Sequence, residues 1–470
     1  MFSTPADRAR PHVLCQTILV LLLLIIFAAV DAQAGYLYVL NDDSAGSRIY
    51  GFSVDETTGA LTPLSGFPVV PGNGGIGSIV SERMVADPAN YRLYVLNDGS
   101  DSFSAYNIDP ATGSRSPMPF SPISLGTGTW NTLRVHPSGS PLIVTNGASG
   151  GGSMSFKISS SGAVLAAGSP FPLGGVSAFS SIFSHDGSYF YTGGNTGTAI
   201  AGFSVDTATG ILTTLAGSPF PAGAANPIAY AVDPEGRLFT MHSTDTLAAF
   251  TSSAGVLTGV AGNPFLSGMS QRRYGVYHPG GFYMVAGNTG NNVGVFRVEG
   301  SGSATTLTAV SGSPFATGAT TANVLALTAS GSHLYVGNRI SRSVTTFAVD
   351  GGTGQLTNLG SQPSNTLGTI GAINGMAYVP DSVANADISG HVAGITAAAD
   401  NTLITLSSDD NSVRLSTRAN NFGRYRFASL PTGKTYTVTA IRKGTVFSPA
   451  ERFIVLSGNI TNADFAISSK

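Results

Sequence analysis

Residues 93–97 read Leu93-Tyr94-Val95-Leu96-Asn97, an apolar strand with an aromatic at its second position. Related phrases stand at Leu37-Tyr38, Leu142-Ile143, Phe190-Tyr191, Leu238-Phe239, Phe282-Tyr283 and Leu334-Tyr335, spaced by 56, 49, 48, 48, 44 and 52 residues. A period near 50 filled by short alternating segments points to four-stranded units set around an axis, because helical repeats would show a 3.6-residue period instead.

Each repeat divides into four strands, A to D. Strand A ends in a turn such as Asp87-Pro88, His136-Pro137-Ser138-Gly139, Asp233-Pro234-Glu235-Gly236 or His278-Pro279-Gly280-Gly281. Strand B is the aromatic phrase. Strand C leads to a Thr-Gly turn (Thr58-Gly59, Thr112-Gly113, Thr209-Gly210, Thr353-Gly354), where Gly supplies a positive φ and a preceding Asp55 or Asp206 bonds the turn amides. Strand D is expected to stop at Pro-Phe (Pro119-Phe120, Pro170-Phe171, Pro219-Phe220, Pro264-Phe265, Pro314-Phe315), with the Phe filling the wedge between units. The first B strand, Tyr36–Leu40, precedes any A strand, and the last A strand lies near Ile373–Tyr378. Seven blades close if residues 372–380 complete the first unit beside residues 36–64. The reading is an all-β chain: a seven-bladed β-propeller over 35–382, followed by a small β-sandwich over 386–470.

Composition agrees. Only 48 of 470 residues are Asp, Glu, Lys or Arg, Gly is 60, and the net charge is −2. That excludes a polyanion binder working through a broad basic surface, so no nucleic-acid partner is expected, and it argues against a helical bundle. Arg8 and Arg10 precede a 13-residue apolar run, Ile18–Val30, and then Ala32-Gln33-Ala34. Residues 1–34 thus read as a secretory signal peptide, with an uncleaved anchor as the competing reading. Cleavage removes the only cysteine, Cys15, and leaves no membrane span. The destination is the periplasm, cell surface or exterior of a bacterium. No cofactor and no metal site are expected; Asn97-Asp98-Gly99-Ser100-Asp101 and Asn41-Asp42-Asp43 read as B–C turns.

The L-Y-V-x-N strands, the H/D-P-x-G turns and the D-x-x-T-G turns together resemble the bacterial β-propeller lactonases and their non-catalytic YVTN-repeat relatives, over about residues 35–382. The C-terminal string Asn421-Phe422-Gly423-Arg424-Tyr425-Arg426-Phe427, followed by Leu430-Pro431-Thr432-Gly433-Lys434-Thr435-Tyr436, is similar to carboxypeptidase regulatory-like (Cna-B/SdrD-B-related) modules. Those modules serve as stalks or adhesive domains. Some carry a Lys–Asn crosslink; none is expected here, because no Lys stands between Ala386 and Gly433.

Alignment of the A strands on their turns places Glu82, Arg83, Asn131, Arg273 and Tyr274 in a polar ring, with Arg272 and the sole tryptophan, Trp130, one residue further up and Arg339 bordering the same face. Arginine recognises carboxylate or phosphate, and Trp offers a stacking face, so the ring suits a small anionic or carbohydrate ligand at the channel mouth. The competing reading is a solvated channel in which Glu and Arg pair and Trp130 packs between blades. The lactonase resemblance implies an Arg-His pair at the start of one A strand and an acidic partner. Arg273 matches the Arg, Tyr274 stands where His would be, and Glu82 is the acidic candidate. The leading expectation is therefore a secreted or cell-surface binding or scaffold protein, contacting a small ligand or another envelope protein. The alternative is a lactonase-like hydrolase using Arg273 and Glu82. His136, His185 and His278 are read as turn residues, and His242 lacks a sequence partner.

Overall fold

In the computed structural model, the described residues are 34–43, 46–71, 82–148, 150–194, 196–269, 272–361, 372–380, 385–393, 402–409, 413–420, 423–432, 434–456 and 460–468. Of residues 1–34, the segment expected to be a signal peptide, only Ala34 lies within them, and it opens the first strand. Among the described residues no helix is long and apolar enough to cross a membrane.

The chain forms seven radial sheets. Blade 1 is closed as the strand count requires: Ala372–Pro380 pairs antiparallel with Ala34–Asp43, setting Gly35 opposite Pro380 and Tyr38 opposite Ala377. Blades 2 to 7 follow in chain order, with A strands at Met84–Asp87, Trp130–Val135, Ser180–Phe183, Pro227–Val232, Arg272–His278 and Ala322–Leu327. In five blades the order A-B-C-D is joined by a fifth short strand. Phe171, Phe220, Phe265 and Phe315 begin four of these strands and pair with the start of strand C, whereas in blade 2 the returning strand is Ile123–Ser124 and Phe120 lies in the turn before it. The Pro-Phe phrase therefore does more than end strand D: it turns the chain back onto the sheet. The preceding Ser or Asn fixes that turn, since Ser218 Oγ accepts from Gly202 N at 2.9 Å, Ser313 Oγ from Val295 N at 2.9 Å and Asn263 Oδ1 from Ala249 N at 3.0 Å.

Two repeated contacts explain why the motifs recur. The strand-B tyrosine reaches the Thr-Gly-type turn of the next blade: Tyr38 Oη donates to Gly113 O at 2.6 Å, Tyr191 Oη to Gly255 O at 2.9 Å and Tyr335 Oη to Gly59 O at 3.1 Å. The last of these joins blade 7 to blade 1. Gly113 has φ +65°, and a Cβ there would stand 2.4 Å from the Tyr36 ring, so only glycine fits. The second contact is at the A–B turns. His136 Nε2 donates to Gly187 O at 3.1 Å and His278 Nε2 to Gly331 O at 2.9 Å, each in the next blade's turn, while their Nδ1 atoms accept from Ser138 N and Gly280 N. Blade 5 substitutes Asp233, bound by Arg237 at 2.6 Å, and Arg237 also donates to Gly300 O.

The described residues between 385 and 468 form two four-stranded sheets packed over a core that includes Ile388, Ile404, Leu406, Tyr425, Phe427, Tyr436, Val438 and Phe465.

Candidate functional site

Strand A lines the axis, so its side chains decide what the channel holds. Just ahead of strand A of blade 2, Glu82 is buried and its carboxylate spans three blades. Arg134 Nη2 of blade 3 lies 2.7 Å from Oε1; in blade 4, Ser180 Oγ donates to Oε1 at 2.5 Å and Ser181 N to Oε2 at 2.9 Å. Arg134 Nε donates to Ser181 O at 2.7 Å, and its Nη1 lies 3.4 Å from Tyr274 Oη in blade 6, with the guanidinium carbon 5.6 Å from the Tyr274 ring centre. Ser181 Oγ donates to Thr132 Oγ1 at 2.7 Å. The cluster thus crosses the axis from blade 2 to blade 6.

Burial pushes the Glu82 carboxyl up from its ordinary value, opposed by Arg134, Ser180 and Ser181. For Arg134, burial acts to lower the value, but Glu82 and then Tyr274 outweigh it, so the guanidinium is held above its ordinary value and stays charged. Burial, then Glu82, also raises the Tyr230 phenol well above its usual value.

Arg134, Tyr230 and Tyr274 line a cavity of about 440 Å³ that reaches the face carrying the A–B turns, where Pro137, His185 and Pro279 edge it. This cavity lies at the opposite end of the channel from the mouth expected at the top of the A strands. The loops that would form that expected mouth include residues 72–81, 270–271 and 362–371, which lie outside the described residues.

The expected ligand residues are placed as follows. Trp130 is 4% exposed, packs with Phe103, Leu133 and Phe156, and donates Nε1–H to Gly126 O at 2.9 Å, so it is a packing residue rather than a stacking platform. Asn131 is buried and donates to Ala178 O of the next blade at 2.9 Å. Arg83 is fully buried. Tyr274 does join the site. Arg339 is half-buried, its amide bonded to Thr321 O at 2.7 Å. Arg272 and Arg273 stand in the first strand of blade 6, but their side chains lie outside the described residues. His242 is tied to the backbone through Ala222 O at 2.9 Å, and Asn97 to Ser104 Oγ at 2.8 Å.

Arg134 was not among the residues singled out from the sequence. Its signal was available two residues before the A–B turn, where the sister positions are Val85, Ile182, Ala231, Val276 and Ala326. One charged residue breaks an otherwise apolar row. The alignment also slips by one in blade 4: Gly187 N bonds Ser184 O at 2.9 Å just as Gly139 N bonds His136 O at 2.7 Å, so Ser184, not His185, occupies the His136 position. The slip frees His185 to edge the cavity.

Fold and site define a seven-bladed β-propeller with a charged cluster buried across its channel. A family model described as "Lactonase, 7-bladed beta-propeller" matches residues 229–368, which fall in blades 5 to 7. Solved structures share the fold. A putative 6-phosphogluconolactonase from Bacteroides fragilis aligns with a TM-score of 0.57 at 17% identity, over 75% of this chain and 99% of its own. The Pseudomonas aeruginosa periplasmic gluconolactonase PpgL aligns with a TM-score of 0.57 at 16% identity, over 74% of this chain and 100% of its own. No curated protein is significantly similar in sequence.

Proposed function

We propose that the protein is a propeller of the lactonase family, a hydrolase that opens a small lactone in the channel cavity around Arg134. One observation carries this reading: the Arg134 guanidinium, held by Glu82 and Tyr274, stands on the wall of a cavity of about 440 Å³, in a chain whose later blades match a lactonase propeller. Water adds to the lactone carbonyl carbon and gives its proton to the His185 imidazole, which edges the same cavity. Arg134 N–H groups and the Tyr274 hydroxyl receive the developing oxyanion. The ring C–O bond then breaks, and the alkoxide takes the proton from His185 to give a hydroxy acid. In this scheme Glu82 positions Arg134. It does not act on the lactone directly, as the sequence expectation had it beside Arg273, because its carboxylate is buried and occupied by three donors. Export through the leader at residues 1–34 and display by a carboxypeptidase regulatory-like sandwich complete the reading, which puts the enzyme in the periplasm or at the cell surface.

The test is hydrolysis of a lactone panel by the purified protein, with Arg134→Ala and His185→Ala as controls. Turnover that disappears in both variants supports the proposal. A wild-type protein inert toward every lactone would overturn it. It would favour the binding or scaffold reading, to which the mutual pairing of Glu82 and Arg134 lends its own support.

A further inference from the structure

We propose that the C-terminal sandwich is a wall of the Arg134 cavity: Asp409, Thr435 and Val455 close its A–B end and select the ligand. Topology requires the sandwich to be nearby. Because the ring is closed by an A strand, the chain leaves the propeller at Pro380, on the A–B face, where Gly35 begins strand B of the same blade. Only residues 381–384 separate Pro380 from the first sandwich strand, Asn385–Ala393, a reach of about 18 Å at most when fully extended.

The side chains bear this out. Asp409, Thr435 and Val455 line the same cavity as Arg134 and Tyr274. A second cleft of about 380 Å³ lies between Asp87, His136 and Pro137 of the propeller and Asp409, Thr432 and Lys434 of the sandwich. A third, of about 650 Å³, lies between Pro234 and Pro279 on one side and Thr435 and Val455 on the other. One edge of the sandwich therefore runs across the turns of blades 2, 3, 5 and 6. Asp409 is fixed there by its amide, which donates to Thr435 O at 2.9 Å.

The walls differ in chemistry. Arg134 and Tyr274 offer donors, and the Asp409 carboxylate offers acceptors. A ligand that fits both presents a carbonyl or carboxylate at one end and hydroxyl donors at the other. The ligand selection rests on reading the cavity as the lactone site; the position of the wall does not.

The experiment has two arms, so the two ideas fail separately. Cys15→Ser leaves the full chain without cysteine. Pro137→Cys with Asp409→Cys, and independently Pro279→Cys with Val455→Cys, are then treated with a short bifunctional maleimide. Intramolecular crosslinking of both pairs, with each single-cysteine variant uncrosslinked, supports the wall; folded double variants that do not crosslink overturn it, whatever the activity. In the second arm, Asp409→Asn and Thr435→Val raise KM about tenfold for a hydroxylated lactone, with kcat nearly unchanged and KM for the unsubstituted ring unaffected. Equal KM changes for both lactones would overturn the selection role. Crosslinking in a protein that opens no lactone would leave the wall standing and remove the hydrolase.

Discussion

Arg134 of blade 3 meets Glu82 of blade 2 at 2.7 Å inside the channel, with Glu82 1% and Arg134 12% exposed. The pair is oriented by Ser180, Ser181 and Tyr274, so it couples four blades at the axis. Removing one partner strands the other charge. Glu82→Gln or Arg134→Met is expected to destabilise the protein by about 3–5 kcal/mol, whereas the double variant loses much less than the sum. Urea unfolding of the three variants measures this, and additive losses would show that the two residues do not act together.

Trp130 gives a direct optical check on its placement. A tryptophan that is 4% exposed and bonded through Nε1 to Gly126 should emit at short wavelength and resist iodide quenching. Trp130→Ala should cost about 3–5 kcal/mol through the cavity it leaves. Strong quenching of the native protein would place the ring at an open surface instead.

The tyrosine contacts between blades predict a seam-by-seam cost. Tyr335→Phe removes the bond to Gly59 O across the closing seam, and Tyr38→Phe the bond to Gly113 O across the next. Each leaves a buried carbonyl short of a donor and is expected to cost about 1–2 kcal/mol, the two adding because the seams are separate. Denaturation midpoints equal to wild type would show that the ring does not rely on these bonds.

Acid should loosen the ring through its histidines. Burial lowers the His278 value, with the bond to Gly331 opposing, and burial likewise lowers that of His333, with Asp55 opposing. A group lowered in the folded state binds its proton more readily when unfolded. The stability tied to that difference is therefore complete above the ordinary histidine value of about 6.5 and falls as pH drops below it. His278→Asn should flatten the drop in urea midpoint between pH 7.5 and pH 5.5. An unchanged slope would mean that His278 does not contribute to it.

The propeller was legible because its signals are local and repeated. A Tyr in strand B, a Thr-Gly turn and a His or Asp turn each recur near every 50 residues, and each proves to be one half of a contact with the neighbouring blade. Ring closure followed from counting A and B strands, and blade 1 pairs as that count demands. The site was less legible because it depends on relations the repeat does not encode. Glu82 stands out as a rare charge, but the partner that the described residues give it, Arg134, lies outside the polar ring read from the alignment. Trp130 sat near a polar position in the alignment yet turns into the wedge between blades. A one-residue slip at Ser184 moved every assignment in blade 4, which is enough to exchange the two faces of a strand.

The most direct test of the account is lactone hydrolysis by wild type, Arg134→Lys and Arg134→Ala, with folding checked by circular dichroism. The wild type should turn over, with a fall in kcat of about 10²–10³ in Arg134→Ala and partial retention in Arg134→Lys, as expected for loss of a donor to the developing oxyanion. Wild-type turnover that persists in a folded Arg134→Ala protein would contradict it.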